Sequence, residues 1–166
     1  MEAPRAGLRS SFEEKTTLHY SSEGGHLDNV KLLISEGLSV NASGLHRIIS
    51  VRYAARIRNS NAESVVKYLI KKGAGVKSAT WAGELPIRYT ADNNNGRSLL
   101  SLLRDGSNVH QRDERDGMLL HKLAWDCDLP GANTLVGEGT EIKPRSNTDT
   151  SVLHCAAEAA KVDKVK

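Results

Sequence analysis

Five short segments of this chain begin alike at a nearly constant interval. Leu18-His19, Val51-Arg52, Ile87-Arg88, Leu120-His121 and Leu153-His154 each join an aliphatic residue to a basic one. The basic anchors His19, Arg52, Arg88, His121 and His154 lie 33, 36, 33 and 33 residues apart. A second series, Gly37, Gly73, Gly106 and Gly139, is spaced 36, 33 and 33. Both series give the same period, and both put three extra residues between Arg52 and Gly73, near 56–61. A chain of such units cannot bury its apolar surface one unit at a time, so neighbouring copies must stack.

Within a copy the residue pattern predicts two helices. After each anchor come small side chains: Ser21-Ser22, Ala54-Ala55, Thr90-Ala91, Ala124 beside Leu123, and Ala156-Ala157. Small residues let helices approach closely. The second helix supplies bulk at i, i+3, i+4: Val30, Leu33, Ile34, then Val66, Leu69, Ile70, then Leu99, Leu102, Leu103. That spacing puts each trio on one face. Thr16 and Ser151 are good N-caps, whereas Ile49, Leu85 and Met118 forgo about 1 kcal/mol of capping each. Each glycine of the second series sits where a second helix should end in a left-handed residue. In copy four, Gly131, Asn133 and Thr134 are poor helix formers, so a short or frayed second helix is expected there. The last copy lacks most of its second helix, so its apolar face is expected to be uncovered and the chain to be part of a longer protein.

These units resemble the ankyrin repeat family. Copy one carries the fullest likeness, with Thr16-Thr17-Leu18-His19, Gly25-His26, Val30-Lys31-Leu32-Leu33-Ile34, Gly37 and Val40-Asn41. The resemblance runs from about residue 12 to the last. It implies an all-α fold, a solenoid of stacked helix-turn-helix units with hairpin-like connecting loops. A flexible segment over 1–11 would precede a repeat domain over 12–166, with repeats of about 12–44, 45–80, 81–113 and 114–146 and a partial one over 147–166. The family uses the imidazole of its TPLH segment to tie hydrogen bonds where the first helix starts, which is the role implied for His19, His121 and His154.

Composition narrows the function. The net charge is +3 against 23 Lys and Arg and 20 Asp and Glu, a balance without the concentrated basic face of a nucleic-acid binder. The N-terminal segment has no apolar signal core, and no run approaches the ~20 apolar residues of a membrane span. Two cysteines, Cys127 and Cys155, make no disulfide framework, so an intracellular location, cytoplasmic or nuclear, is expected. Asn41-Ala42-Ser43 matches a glycosylation sequon, read as incidental without an export signal. A zinc site from His121, Cys127, His154 and Cys155 fails on geometry. Equivalent positions in stacked copies are roughly 8–10 Å apart, whereas ligands sit about 2.0–2.3 Å from the metal. Adjacent helical residues such as His154 and Cys155 point about 100° apart, which disfavours a cysteine nucleophile with its neighbour as base. No phosphate loop, carboxylate pair or nucleophile elbow is present. No enzyme activity, cofactor or metal is expected.

Binding is where the sequence says most. The resemblance implies a concave groove lined by hairpin tips and the exposed side of the first helices. The residues after the first three anchors are Tyr20, Tyr53 and Tyr89, equivalent positions in consecutive copies. Trp81 falls in a predicted hairpin tip and Trp125 at a variable first-helix position. Aromatics give large contact area at low entropic cost. Arg56 belongs to a group with Arg47, Arg52, Arg58 and Arg88, while Asp113, Glu114 and Asp116 mark the tip before copy four. A groove with a basic and an acidic part suits a peptide of mixed charge. Tyr20, Tyr53, Arg56, Trp81, Tyr89 and Trp125 are the candidate partner-binding residues. The expected function is a non-catalytic scaffold for a partner protein or peptide, of unassigned oligomeric state. The alternatives are a polyanion or nucleic-acid binder using the arginines and, behind it, a cysteine-dependent enzyme.

Overall fold

The computed structural model describes residues 15–57, 61–91, 96–110, 112, 118–126, 128–140, 142, 145–146 and 148–163. Among them every extended element of regular structure is a helix. Four helix pairs follow one another: α1 (Thr17–Glu23) with α2 (Leu27–Ser35), α3 (Ser50–Ala55) with α4 (Asn61–Lys71), α5 (Arg88–Ala91) with α6 (Gly96–Arg104), and α7 (Leu119–Trp125) with α8 (Leu129–Gly137). A last helix, α9, covers Val152–Asp163. The first helices touch in series, α1 to α3 to α5 to α7 to α9, and so do the second helices, α2 to α4 to α6 to α8. Two parallel layers result, with the core between them.

That core follows the predicted faces. Leu18, Val51, Ile87 and Leu120, each just before an anchor, are at most 2% exposed. Val30, Val66, Leu69, Leu99, Leu102 and Leu135 come from the second helices and are equally buried. Each full burial of such a side chain contributes about 1.5–3 kcal/mol. Leu153 holds the same position in the last copy and is 74% exposed, because no second helix covers it among the described residues.

All four marker glycines take positive φ, between 81° and 90°. Each closes its helix in the same way. Gly37 N–H donates to Ile34 O and Leu38 N–H to Leu33 O, and the pattern returns at Gly73, Gly106 and Gly139. This is the Schellman arrangement, which satisfies two of the carbonyls a helix end leaves open.

The three-residue insertion between Arg52 and Gly73 shows in part as a longer second helix, for α4 has 11 residues where α2 has 9. Two expectations need correction. Copy four's second helix is not short, for α8 has 9 residues. The buried Asp128 carboxylate caps it by accepting from Gly131 N–H at 2.9 Å, and Pro130 sits in the first turn, where its missing N–H costs nothing. Gly131 gives that carboxylate room, because a Cβ there would press on the side chains of Asp128 and Leu123 and make them shift. Finally, α9 runs for 12 residues without the turn that ends α1. Gly24-Gly25 of copy one is replaced by Ala159-Ala160, and alanine continues a helix where glycine breaks it. The acidic tip Asp113, Glu114 and Asp116, together with Cys127, Arg58 and the segment 1–11, lies outside the described residues.

Gly73 and Gly137 both have open space where a Cβ would go, but only Gly73 has positive φ, at 85°. Gly73→Ala should therefore lower unfolding stability by about 1–2 kcal/mol, while Gly137→Ala should be neutral or slightly stabilising. Urea denaturation of both variants checks this, and equal effects would contradict it.

Candidate binding surface

Three described loops share one frame. Gly44 N–H donates to Ile48 O, Thr80 N–H to Glu84 O and Ser146 N–H to Thr150 O, at 2.8, 3.0 and 3.0 Å. Single antiparallel bridges, Ser43 with Ile49 and Arg145 with Ser151, close two of them. The first tip turns on two left-handed residues, His46 and Arg47, with φ of 57° and 61°. The His46 ring stands edge-on to Trp81 in the next tip, 5.6 Å between centroids. Asn41 adds a second tie between copies. Its amide donates to Gly73 O at 2.9 Å and accepts from Gly75 N–H at 2.8 Å, so the side chain of the apparent sequon works as a clamp.

Beneath the tips the anchors His19, Arg52 and His121 each hold their copy to the following loop. His19 Nδ1 accepts from Thr16 N–H at 3.0 Å, which leaves Nε2 as the donor to Ala42 O at 2.9 Å. His121 repeats this with Met118 N–H and Thr150 O. Arg52 does more. Its guanidinium donates to Arg47 O on the loop before and to Ser78 O and Glu84 O on the loop after. Ser78 is the counterpart of Ala42, and Glu84 that of Thr150, so one arginine makes both kinds of bond that the histidines make singly. The longer, five-donor fork permits it. Burial pulls the Arg52 pKa below its ordinary value, against the opposing influence of Tyr89 and Glu84.

The three equivalent tyrosines occupy three environments. Tyr20 is 45% exposed. Tyr53 is 4% exposed, a correction to its expected place on the groove. The His19 ring lies 5.2 Å from it and Lys15 Nζ 4.9 Å over its face, so copy one covers it. Lys15 also lies 5.4 Å over Tyr20 and binds Glu23 at 3.1 Å. Tyr89 is half-buried, and its hydroxyl donates to Glu84 Oε2 at 3.0 Å. Arg56 is exposed at the end of α3, close enough for its charge to act on Tyr89. Trp81 is 71% exposed and Trp125 50%. Trp81, Arg56 and Tyr89 thus belong to one neighbourhood around Arg52, Tyr20 to another around Lys15, and Trp125 to the fourth copy. The residue types at 15 and 84 gave no warning of these contacts; Lys15 and Glu84 are visible only once copies are stacked.

Catalytic groups find little support here. Burial and the nearby Glu158 push the Cys155 thiol above its ordinary pKa, which disfavours the thiolate. The contact of Ser151 Oγ with His154 Nδ1, 2.6 Å, belongs to a helix cap. Among the described residues no three His, Cys, Asp or Glu side chains are grouped to hold a metal, and no helix is long and apolar enough to cross a membrane.

Burial, Glu84 and the hydrogen bond it accepts raise the Tyr89 pKa to about 12. The folded protein therefore keeps this proton where an unfolded tyrosine, near pH ~10, loses it. The associated stability is complete below pH ~10 and disappears as pH rises towards about 12. Wild type should lose stability more steeply than Tyr89→Phe across that window in denaturant titrations. Equal slopes would contradict the assignment.

A search of curated proteins returned no match to the chain. Residues 13–45 match the family model of the ankyrin repeat. The matched segment holds α1, α2 and their Schellman glycine, and the same helix pair, anchor and glycine recur in the copies stacked on it. Residues 13–45 are thus an ankyrin repeat, and the copies stacked on them make the chain similar to the ankyrin-repeat family.

Proposed function

We propose that the chain is a non-catalytic scaffold that binds a partner protein or peptide on the surface formed by its loop tips and first helices. Residues 12–166 would act as one binding domain inside the cell. Ankyrin repeats as a class are protein–protein interaction modules, which supports this reading. The observation that carries it is Trp81. A tryptophan 71% exposed is an expensive side chain to leave in water, and this one is held against His46 on a hydrogen-bonded loop. A large aromatic in a fixed position loses little entropy when a partner covers it. Trp125 and Tyr20 extend the surface to the fourth and first copies. Tyr53, being buried, supports the scaffold instead.

The test compares the two faces of the solenoid. Leu32, on α2, is also exposed, at 59%, but lies in the other helix layer. Immobilised wild type, Trp81→Ala and Leu32→Ala proteins are compared for the proteins they capture, after circular dichroism shows equal helicity. Trp81→Ala should reduce capture of the specific partner about tenfold or more, and Leu32→Ala should not. The opposite pattern would move the site to the second-helix face.

A further inference from the structure

The neighbourhood of Trp81 has a definite electrostatic character. A continuous chain of contacts leads from Trp81 to His46, through the adjoining Arg47 to Arg52, which donates to the Arg47 carbonyl. From Arg52 it passes to Glu84, whose carbonyl Arg52 bonds and whose carboxylate Tyr89 bonds. Arg56 stands one helical turn beyond Arg52, its backbone N–H bonded to Arg52 O at 3.3 Å. The Glu84 carboxylate accepts the Tyr89 hydroxyl, and it acts on Arg52 through its charge alone. The Arg52 guanidinium is turned inward onto carbonyls. Arg47 and Arg56 are exposed, and neither has an ion pair among the described residues.

We infer that this surface binds an acidic peptide segment, with carboxylates on Arg47 and Arg56 and an apolar side chain laid on Trp81. The inference deepens the protein-binding reading above and rests on it. The chemistry is complementary on each count. A guanidinium pairs a carboxylate through two parallel hydrogen bonds, which gives direction as well as attraction. Arg47 and Arg56 flank Arg52 in sequence, each joined to it by a backbone contact, and Arg52 cannot turn outward without leaving three carbonyls without donors. The positive charge is thus built into the scaffold, and the partner must supply the negative one. An extended segment fits better than a nucleic acid. Trp81, Tyr20 and Trp125 are exposed in different copies and form no row of adjacent stacking platforms among the described residues, and the chain's net charge is only +3.

The experiment uses fluorescence anisotropy with the full chain. The probes are a labelled peptide of glutamate and aspartate around a central leucine, the same peptide with lysine in place of each acid, and a single-stranded oligonucleotide of equal charge. The acidic peptide should bind, the lysine peptide should not, and the oligonucleotide should bind at least tenfold more weakly, an expected margin of about one hydrogen-bonded charge pair. Arg47→Gln and Arg56→Gln should each weaken acidic-peptide binding about five- to tenfold, and wild-type affinity should fall as salt rises. The salt series needs no variant and guards against a misfolded one. No acidic-peptide binding, a flat salt response, or equal binding of the oligonucleotide would overturn the inference. So would partner capture that depends on Trp81 but persists in Arg47→Gln and Arg56→Gln, a result that leaves the protein-binding reading standing. Capture indifferent to Trp81 would bring down that reading instead.

Discussion

Copies one, two and four of this solenoid are each held to the following loop by a basic side chain at the start of the first helix, which reaches a backbone carbonyl there. The rest of the structure depends on that reach. A helix pair alone has one apolar face and no means to bury it, and a loop alone has unpaired carbonyls. The anchor solves both problems together, since its buried donor satisfies the loop only when the copies are in register. Copy one does this with His19 on Ala42 O, and copy four with His121 on Thr150 O. In copy two Arg52 takes both corresponding carbonyls and a third, Arg47 O.

The choice of arginine has a consequence for the surface. An imidazole that accepts from a backbone amide and donates to a carbonyl is neutral, so His19 ties its loop without adding charge. Arg52 ties more but brings a positive charge to the centre of the stack. Tyr89 and Glu84 are the groups that answer it, and they are linked to each other by a hydrogen bond. Arg47 and Arg56, flanking Arg52 in sequence, are left to the solvent or to a partner. The basic face of the candidate site thus begins in the architecture of copy two.

Much of the fold was legible in the sequence because its markers are local. A left-handed glycine and an anchor residue each answer to their own backbone, so their spacing revealed the period and the site of the insertion. What escaped was set between copies. Tyr20, Tyr53 and Tyr89 are equivalent by count, yet Lys15 and His19 cover Tyr53 while Tyr20 keeps an open side. Helix α8 looked weak by propensity because Gly131 counts against a helix, but its N–H is capped by a buried aspartate that packs in the space glycine leaves. In α9 the opposite error occurred, since alanines at 159 and 160 removed a turn expected from the period alone. For the candidate site, the exposed aromatics Trp81 and Trp125 were readable as residue types, while the His46 contact and the Glu84–Tyr89 pair needed the stacked loops.

The most direct test of this account is the unfolding stability of Arg52 variants measured in urea. Arg52→Ala leaves three loop carbonyls without their donor, and the account predicts a loss of about 3 kcal/mol or more. Arg52→His, which installs the anchor used by copies one and four, should recover a clear part of that loss. Equal stabilities for Arg52→His and Arg52→Ala, or an Arg52→Ala protein as stable as wild type, would contradict it.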